Sequence, residues 1–120
     1  MPSVQPIDPT EIEKPCPLTA ATDALGGKWS LICLYWLADG PKHFAALERL
    51  MSGISRKVLT ETLRDLEQHG LLTRTPRGDA VDHVDYALSD HGKSVLPVIE
   101  AMRGWGTAHV ERRSGNGAAV

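Results

Sequence analysis

The hydrophobic pattern of this chain is clearest between Gly53 and Arg74, where Val58, Leu59, Leu63 and Leu66 recur at spacings that place them on one face of a helix. Arg56, Lys57, Thr60, Glu61, Arg64 and Gln68 fall on the other face. Ser55 stands where its hydroxyl can accept a backbone N–H of the first turn, and Gly70 stands where a left-handed residue ends the helix. The apolar run Leu71-Leu72-Thr73-Arg74 then predicts a strand, and residues 75–79 a turn. His83-Val84-Asp85-Tyr86-Ala87-Leu88 alternates polar and apolar, so it is expected to return as the second strand of a hairpin.

Upstream, a short helix is predicted over Leu18–Leu25, broken at Gly26-Gly27. A strongly apolar helix follows over Trp29–Leu37, stopped by Gly40-Pro41. Phe44, Leu47 and Leu50 mark a third helix, and Met51-Ser52-Gly53 the turn before the amphipathic one. Downstream, Ser89 offers an N-cap, and Val95, Leu96, Ile99, Met102 and Trp105 form a helical stripe running to about Arg112. Pro97 is expected to bend this last helix rather than break it. The expected fold is mainly α with a small β-hairpin, a winged helix-turn-helix with N- and C-terminal dimerisation helices. The last stripe is wide for one domain to cover when Trp29, Tyr35 and Trp36 also need burial. Either a dimer covers it or the helix packs wholly on its own domain. Residues 1–14, rich in Pro, Asp and Glu, read as a mobile arm, residues 15–113 as the folded domain, and residues 114–120 as a flexible tail.

Length changes this picture little, because 120 residues suffice for one core and not two. The longest apolar run, Leu31–Ala38, is too short to cross a bilayer, and the N-terminus lacks the basic and apolar order of a signal peptide, so a cytoplasmic protein is expected. The net charge of −2 argues against indiscriminate nucleic-acid binding. Its distribution argues otherwise locally: from Lys42 to Arg77 the basic side chains outnumber the acidic by three. The five histidines form no ligand-like cluster, the Gly-Gly pair is no phosphate loop, and no nucleophile motif accompanies Asp and His. No metal, cofactor or enzymatic activity is expected.

The polar face of the amphipathic helix fits the major groove of DNA. Ser55, Arg56, Lys57, Thr60 and Glu61 lie near its start. Arg56 can donate a bidentate pair to guanine, and Lys57 suits a phosphate. Glu61 either accepts from cytosine or supports Arg64 or Lys57, and Arg64 either reaches DNA or pairs within its helix. Arg74 and Arg77 of the hairpin are expected at phosphates or the minor groove. Cys16 precedes Pro17 at the end of the arm and is expected to be more accessible than Cys33, which lies in an apolar helix and reads as core.

Cys16-Pro17, Gly26-Gly27-Lys28-Trp29, Gly40-Pro41-Lys42-His43-Phe44, Gly53-Ile54-Ser55, Leu59, Leu63-Arg64-Asp65-Leu66-Glu67, Gly70-Leu71, Asp85-Tyr86 and Gly92 together resemble the HxlR-type transcriptional regulators. These are winged helix-turn-helix proteins related in architecture to the MarR family, and the resemblance spans about residues 16–106. It implies a cytoplasmic homodimer that binds pseudo-palindromic operators on double-stranded DNA, with repression the expected outcome. Dimer contacts would come from the terminal helices, here Leu18, Leu96, Ile99, Met102 and Trp105. It also implies a backbone phosphate contact near Lys42 and His43, where the family often has Arg-Phe in place of His43-Phe44. The wing departs too, with Ala80-Val81-Asp82-His83 where a Pro-Pro step is usual, and Asp79, Asp82 and Asp85 close by. Some members sense oxidants, quinones or aldehydes through a cysteine at the position of Cys16. That chemistry needs a thiolate, which Lys14, Lys28 or a helix N-terminus would favour. The alternatives are a winged-helix module for protein interaction, or a regulator governed by a small molecule in the dimer interface near Trp29, Trp36 and Trp105.

Overall fold

A computed structural model describes residues 16–78 and 84–119. Helices α1 (Pro17–Leu25) and α2 (Lys28–Trp36) are followed by a short strand β1 (Lys42–His43), helices α3 (Phe44–Leu50) and α4 (Arg56–Gln68), strands β2 (Leu72–Pro76) and β3 (Val84–Leu88), and helices α5 (Asp90–Lys93) and α6 (Leu96–Ala119). The arrangement is a winged helix-turn-helix, mostly helical with one small antiparallel sheet. Residues 1–14, read from composition as an arm, and the wing residues Asp79, Ala80, Val81, Asp82 and His83 lie outside the described residues.

Local chemistry sets the limits of α4. Ser55 Oγ accepts from Val58 N at 3.1 Å at its start. At its end Gly70 takes φ +75°, donating its N–H to Glu67 O, while Leu71 N donates to Leu66 O, both at 2.9 Å. This pair of bonds is a Schellman stop, and the left-handed residue it needs is a glycine because a Cβ there is strained. Leu66 and Leu71 are both buried beside it. With Leu59 and Leu63 they join Cys33, Leu34, Leu37, Phe44, Leu47 and Met51 in one core. Each such leucine contributes roughly 1.5–3 kcal/mol by leaving water.

Three findings differ from the sequence reading. The sheet has three strands in the order β1-β3-β2, because Lys42 pairs with Tyr86 and His43 with Asp85. A two-residue strand carries no periodicity to read. The last helix is broken, not bent: α5 ends at Lys93 and α6 begins at Leu96, with Pro97 in its first turn. Proline has no N–H to donate and its ring crowds the carbonyl four residues back, so it is tolerated in a first turn and not across a continuous helix. Finally α6 runs to Ala119, through the stretch read as a tail. No proline interrupts it there, and a helix already nucleated extends residue by residue at little cost.

Candidate nucleic-acid interface

Cross-strand register sorts the polar side chains of the sheet. Lys42, Tyr86 and Arg74 are direct partners across the three strands, so they share one face. His43, Asp85 and Thr75 are the next set, and share the opposite face. The Tyr86 face turns towards α4 and encloses with it a groove of about 460 Å³, lined by Phe44, Arg56, Thr60, Arg64, Glu67, Arg74 and Tyr86. Three guanidinium groups from two elements thus surround one concavity that holds a single carboxylate among its lining. Such a site favours an anion with flat or branched oxygens, because guanidinium forks match phosphate geometry.

Arg56 is the first residue of α4 and is tied to α3. Its Nη1 lies 3.2 Å from Glu48 Oε1, and its guanidinium carbon stands 4.8 Å from the centre of the Phe44 ring. An exposed ion pair contributes about 0.2–1 kcal/mol and an exposed cation–aromatic stack about 0.5–1 kcal/mol, so the pair of contacts together is a modest clamp. Lys57 and Glu61 are exposed on the outer face of α4, and no ion pair joins them to each other or to Arg64 among the described residues. Thr60 Oγ1 donates to Arg56 O at 2.8 Å, so its hydroxyl proton serves the helix.

On the opposite face of the sheet, Asp85 is a hub. Its carboxylate is only 13% exposed, with Arg77 Nε 2.5 Å from Oδ2 and His43 Nδ1 2.5 Å from Oδ1. No hydrogen bond reaches Asp85 Oδ1 among the described residues, so His43 meets that oxygen by proximity alone. Asp85 therefore does not repel an approaching phosphate as an open charge; it gathers His43 and Arg77 to one point at the base of the wing. Lys42 pairs with Asp39, and the hydrogen bond and charge of that ammonium hold the Asp39 carboxyl below its ordinary range.

Both cysteines are thiols. Cys16 is the N-cap of α1 and is half-buried. Cys33 is fully buried, and burial pushes its pKa from the ordinary 9.0 up to about 12, because the core cannot hydrate a thiolate. Its protonation supports the fold completely below pH 9.0, and that support is lost as pH rises towards about 12. Among the described residues, no group of His, Cys, Asp or Glu is arranged to hold a metal, and no helix is long and apolar enough to cross a membrane.

The residues expected at a dimer contact divide. Ile99 is buried and Leu96 packs partly against the core of its own chain. Leu18, Met102 and Trp105 are exposed, at 76%, 51% and 69%. Trp105 stacks on His109 with ring centres 4.8 Å apart. Between α2 and α6 a cavity of about 380 Å³ is lined by Leu31, Ile32, Tyr35, Ile99, Met102 and Arg103, rather than by Trp29, Trp36 and Trp105.

Arg56, Thr60, Arg64 and Arg74, each expected at DNA from the sequence, are brought by the fold to one groove. Phe44, Glu67 and Tyr86 complete its lining and Glu48 reaches it only through Arg56, and none of these four is marked as a site residue by the sequence pattern. Phe44 and Glu48 are one helical turn apart, which was the available signal, but their meeting with Arg56 depends on how α3 crosses α4.

The family model described as HxlR-like helix-turn-helix matches residues 24–114. An uncharacterized HTH-type transcriptional regulator of Methanothermobacter thermautotrophicus is 34% identical over 102 residues, covering 85% of this chain and 78% of the relative. Among solved structures, the redox regulator HypR in its reduced form superposes with a TM-score of 0.76 at 30% identity, over 83% of this chain and 99% of that one. The quinone-bound YodB of Bacillus subtilis gives 0.66 at 31% identity, over 78% and 99% of the two chains.

Proposed function

The chain belongs to the HxlR-like helix-turn-helix family and is a DNA-binding transcriptional regulator, and on that premise we propose that it acts as a homodimeric repressor whose two α4 helices read a pseudo-palindromic operator. The observation that carries the reading is the groove in which arginines of α4 and β2 converge beside the capped start of α4. In this reading Arg56 meets a guanine edge, with Ser55, Thr60 and Glu61 around it. Lys57, Arg64 and Arg74 meet phosphates, and Lys42, His43 and Arg77 support the flanking backbone. The exposed apolar residues Leu18, Met102 and Trp105 form the dimer contact, and half-sites lie roughly 34 Å apart, one turn of the duplex.

Selection of bound duplexes from random DNA tests the assignment. Arg56→Ala is expected to lower affinity for the selected operator by about 1–3 kcal/mol and to relax one base position. Lys57→Ala is expected to weaken all sequences alike and reduce the salt slope by about one. Full affinity and unchanged base preference in Arg56→Ala would overturn the role given to that residue.

We also propose that Cys16 senses oxidants or quinones. HypR is described as a redox regulator, YodB has a quinone-bound form, and Cys16 stands at the N-cap of α1, close in sequence to the exposed Leu18. Modification there is coupled to DNA release because the two ligands favour different spacings of the α4 helices. Benzoquinone treatment followed by peptide mass measurement is expected to find the adduct on Cys16 and none on Cys33 in the folded protein. Release of DNA by quinone in a Cys16→Ser variant would remove the proposal. A small molecule at the dimer interface is the second reading, favoured by the apolar cavity between α2 and α6 with Arg103 in its wall.

A further inference from the structure

We infer that Glu48, on α3 and outside the reading helix, is a specificity-determining positioning residue that acts through Arg56. The inference rests on the DNA-reading role proposed above. Phe44 and Glu48 are one turn apart on α3 and so share a face. The Phe44 ring is 4% exposed and held by the core, so it is a fixed surface. The guanidinium of Arg56 lies over that ring, and the Glu48 carboxylate meets its Nη1 at 3.2 Å. One contact holds the guanidinium against the ring, and the other holds its Nη1 end, so together they restrict its swing.

The consequence for reading is geometric and electrostatic together. An arginine free to swing meets any phosphate within its reach, and phosphate contacts carry no sequence information. An arginine fixed in plane matches a base edge that presents two acceptors in that plane. Glu48 also offsets the Arg56 charge, which lowers the attraction to phosphate shared by all sequences. Glu48 thereby turns a residue at the start of α4 from a general anchor into a discriminating contact. Its position eight residues before Arg56 in another helix is why the reading helix alone does not disclose it.

The test uses the full chain and fluorescence anisotropy across a salt series, with a selected operator duplex and a scrambled duplex of the same length. Wild type, Glu48→Gln, Arg56→Ala and the double variant are compared, with circular dichroism melting to confirm folding. Glu48→Gln is expected to bind the scrambled duplex roughly fivefold more tightly, to steepen its salt slope by about one, and to lower the operator-to-scrambled ratio about tenfold. In the Arg56→Ala background the same change is expected to leave the ratio as it is. Phe44→Leu, which keeps the site apolar and removes the ring, is expected to lower the ratio in the same direction. An unchanged ratio in Glu48→Gln overturns the inference. An equal effect in the Arg56→Ala background also overturns it, because Glu48 would then act only as a repelling charge. Wild type that fails to discriminate the two duplexes overturns the DNA-reading role itself, and Glu48's with it.

Discussion

Met102→Glu is expected to make the protein monomeric in solution and to lower operator affinity about a hundredfold or more. Val98, Met102 and Trp105 follow one another at helical spacing along α6 and are all substantially exposed on the single chain. A carboxylate at position 102 stays hydrated there, so helix content and the fold of the subunit are retained. In the proposed dimer the same group would be stripped of water without a partner, an effective penalty of several kcal/mol. Joining two reading heads raises affinity by about 10²–10⁴ over one, and that factor disappears with the contact. Sedimentation velocity and anisotropy measure the two effects separately. A variant that still sediments as a dimer, or a monomer that binds as tightly as its parent, would remove this face of α6 from the interface.

The second large effect concerns stability. Gly92→Ala is expected to cost about 3 kcal/mol or more and to lower the melting temperature by roughly 12–24 °C. Gly92 is buried in α5, and a Cβ built on it would lie 2.0 Å from the carbonyl oxygen of Leu71. That oxygen is backbone at the Schellman stop of α4, so no rotamer change relieves the clash. It already accepts from Ser89 N at 3.0 Å, while Ser89 Oγ donates to Gly70 O at 2.5 Å and accepts from Gly92 N at 2.9 Å. Separating α5 from the α4–β2 turn strains this set of bonds, each worth about 1 kcal/mol net. Thermal melting followed by circular dichroism decides the matter. A shift below about 4 °C would mean that the turn yields without strain.

The sequence disclosed most where structure is local. The cap at Ser55, the stop at Gly70 and the buried stripe of α4 each depend on neighbours within two turns, and all were readable. The break before α6 was visible as Pro97, but its outcome was not, because a proline bends or ends a helix according to what the flanking residues can pack against. β1 is defined by its partner β3 and not by its own two residues. The candidate site divides in the same way. Its arginines were evident as residue types on a polar surface, whereas Glu48 and Tyr86 enter only through the crossing of α3 with α4 and the sheet register. Asp85 was legible as an acid and not as a hub, since its partners His43 and Arg77 come from other strands or their ends.

Tyr86 and Asp85 are held from both sides, by β1 on one edge and β2 on the other. That short added strand fastens β3 to the start of α3, so the base of the wing is built into the same frame as the helices and a push on it is carried into the core.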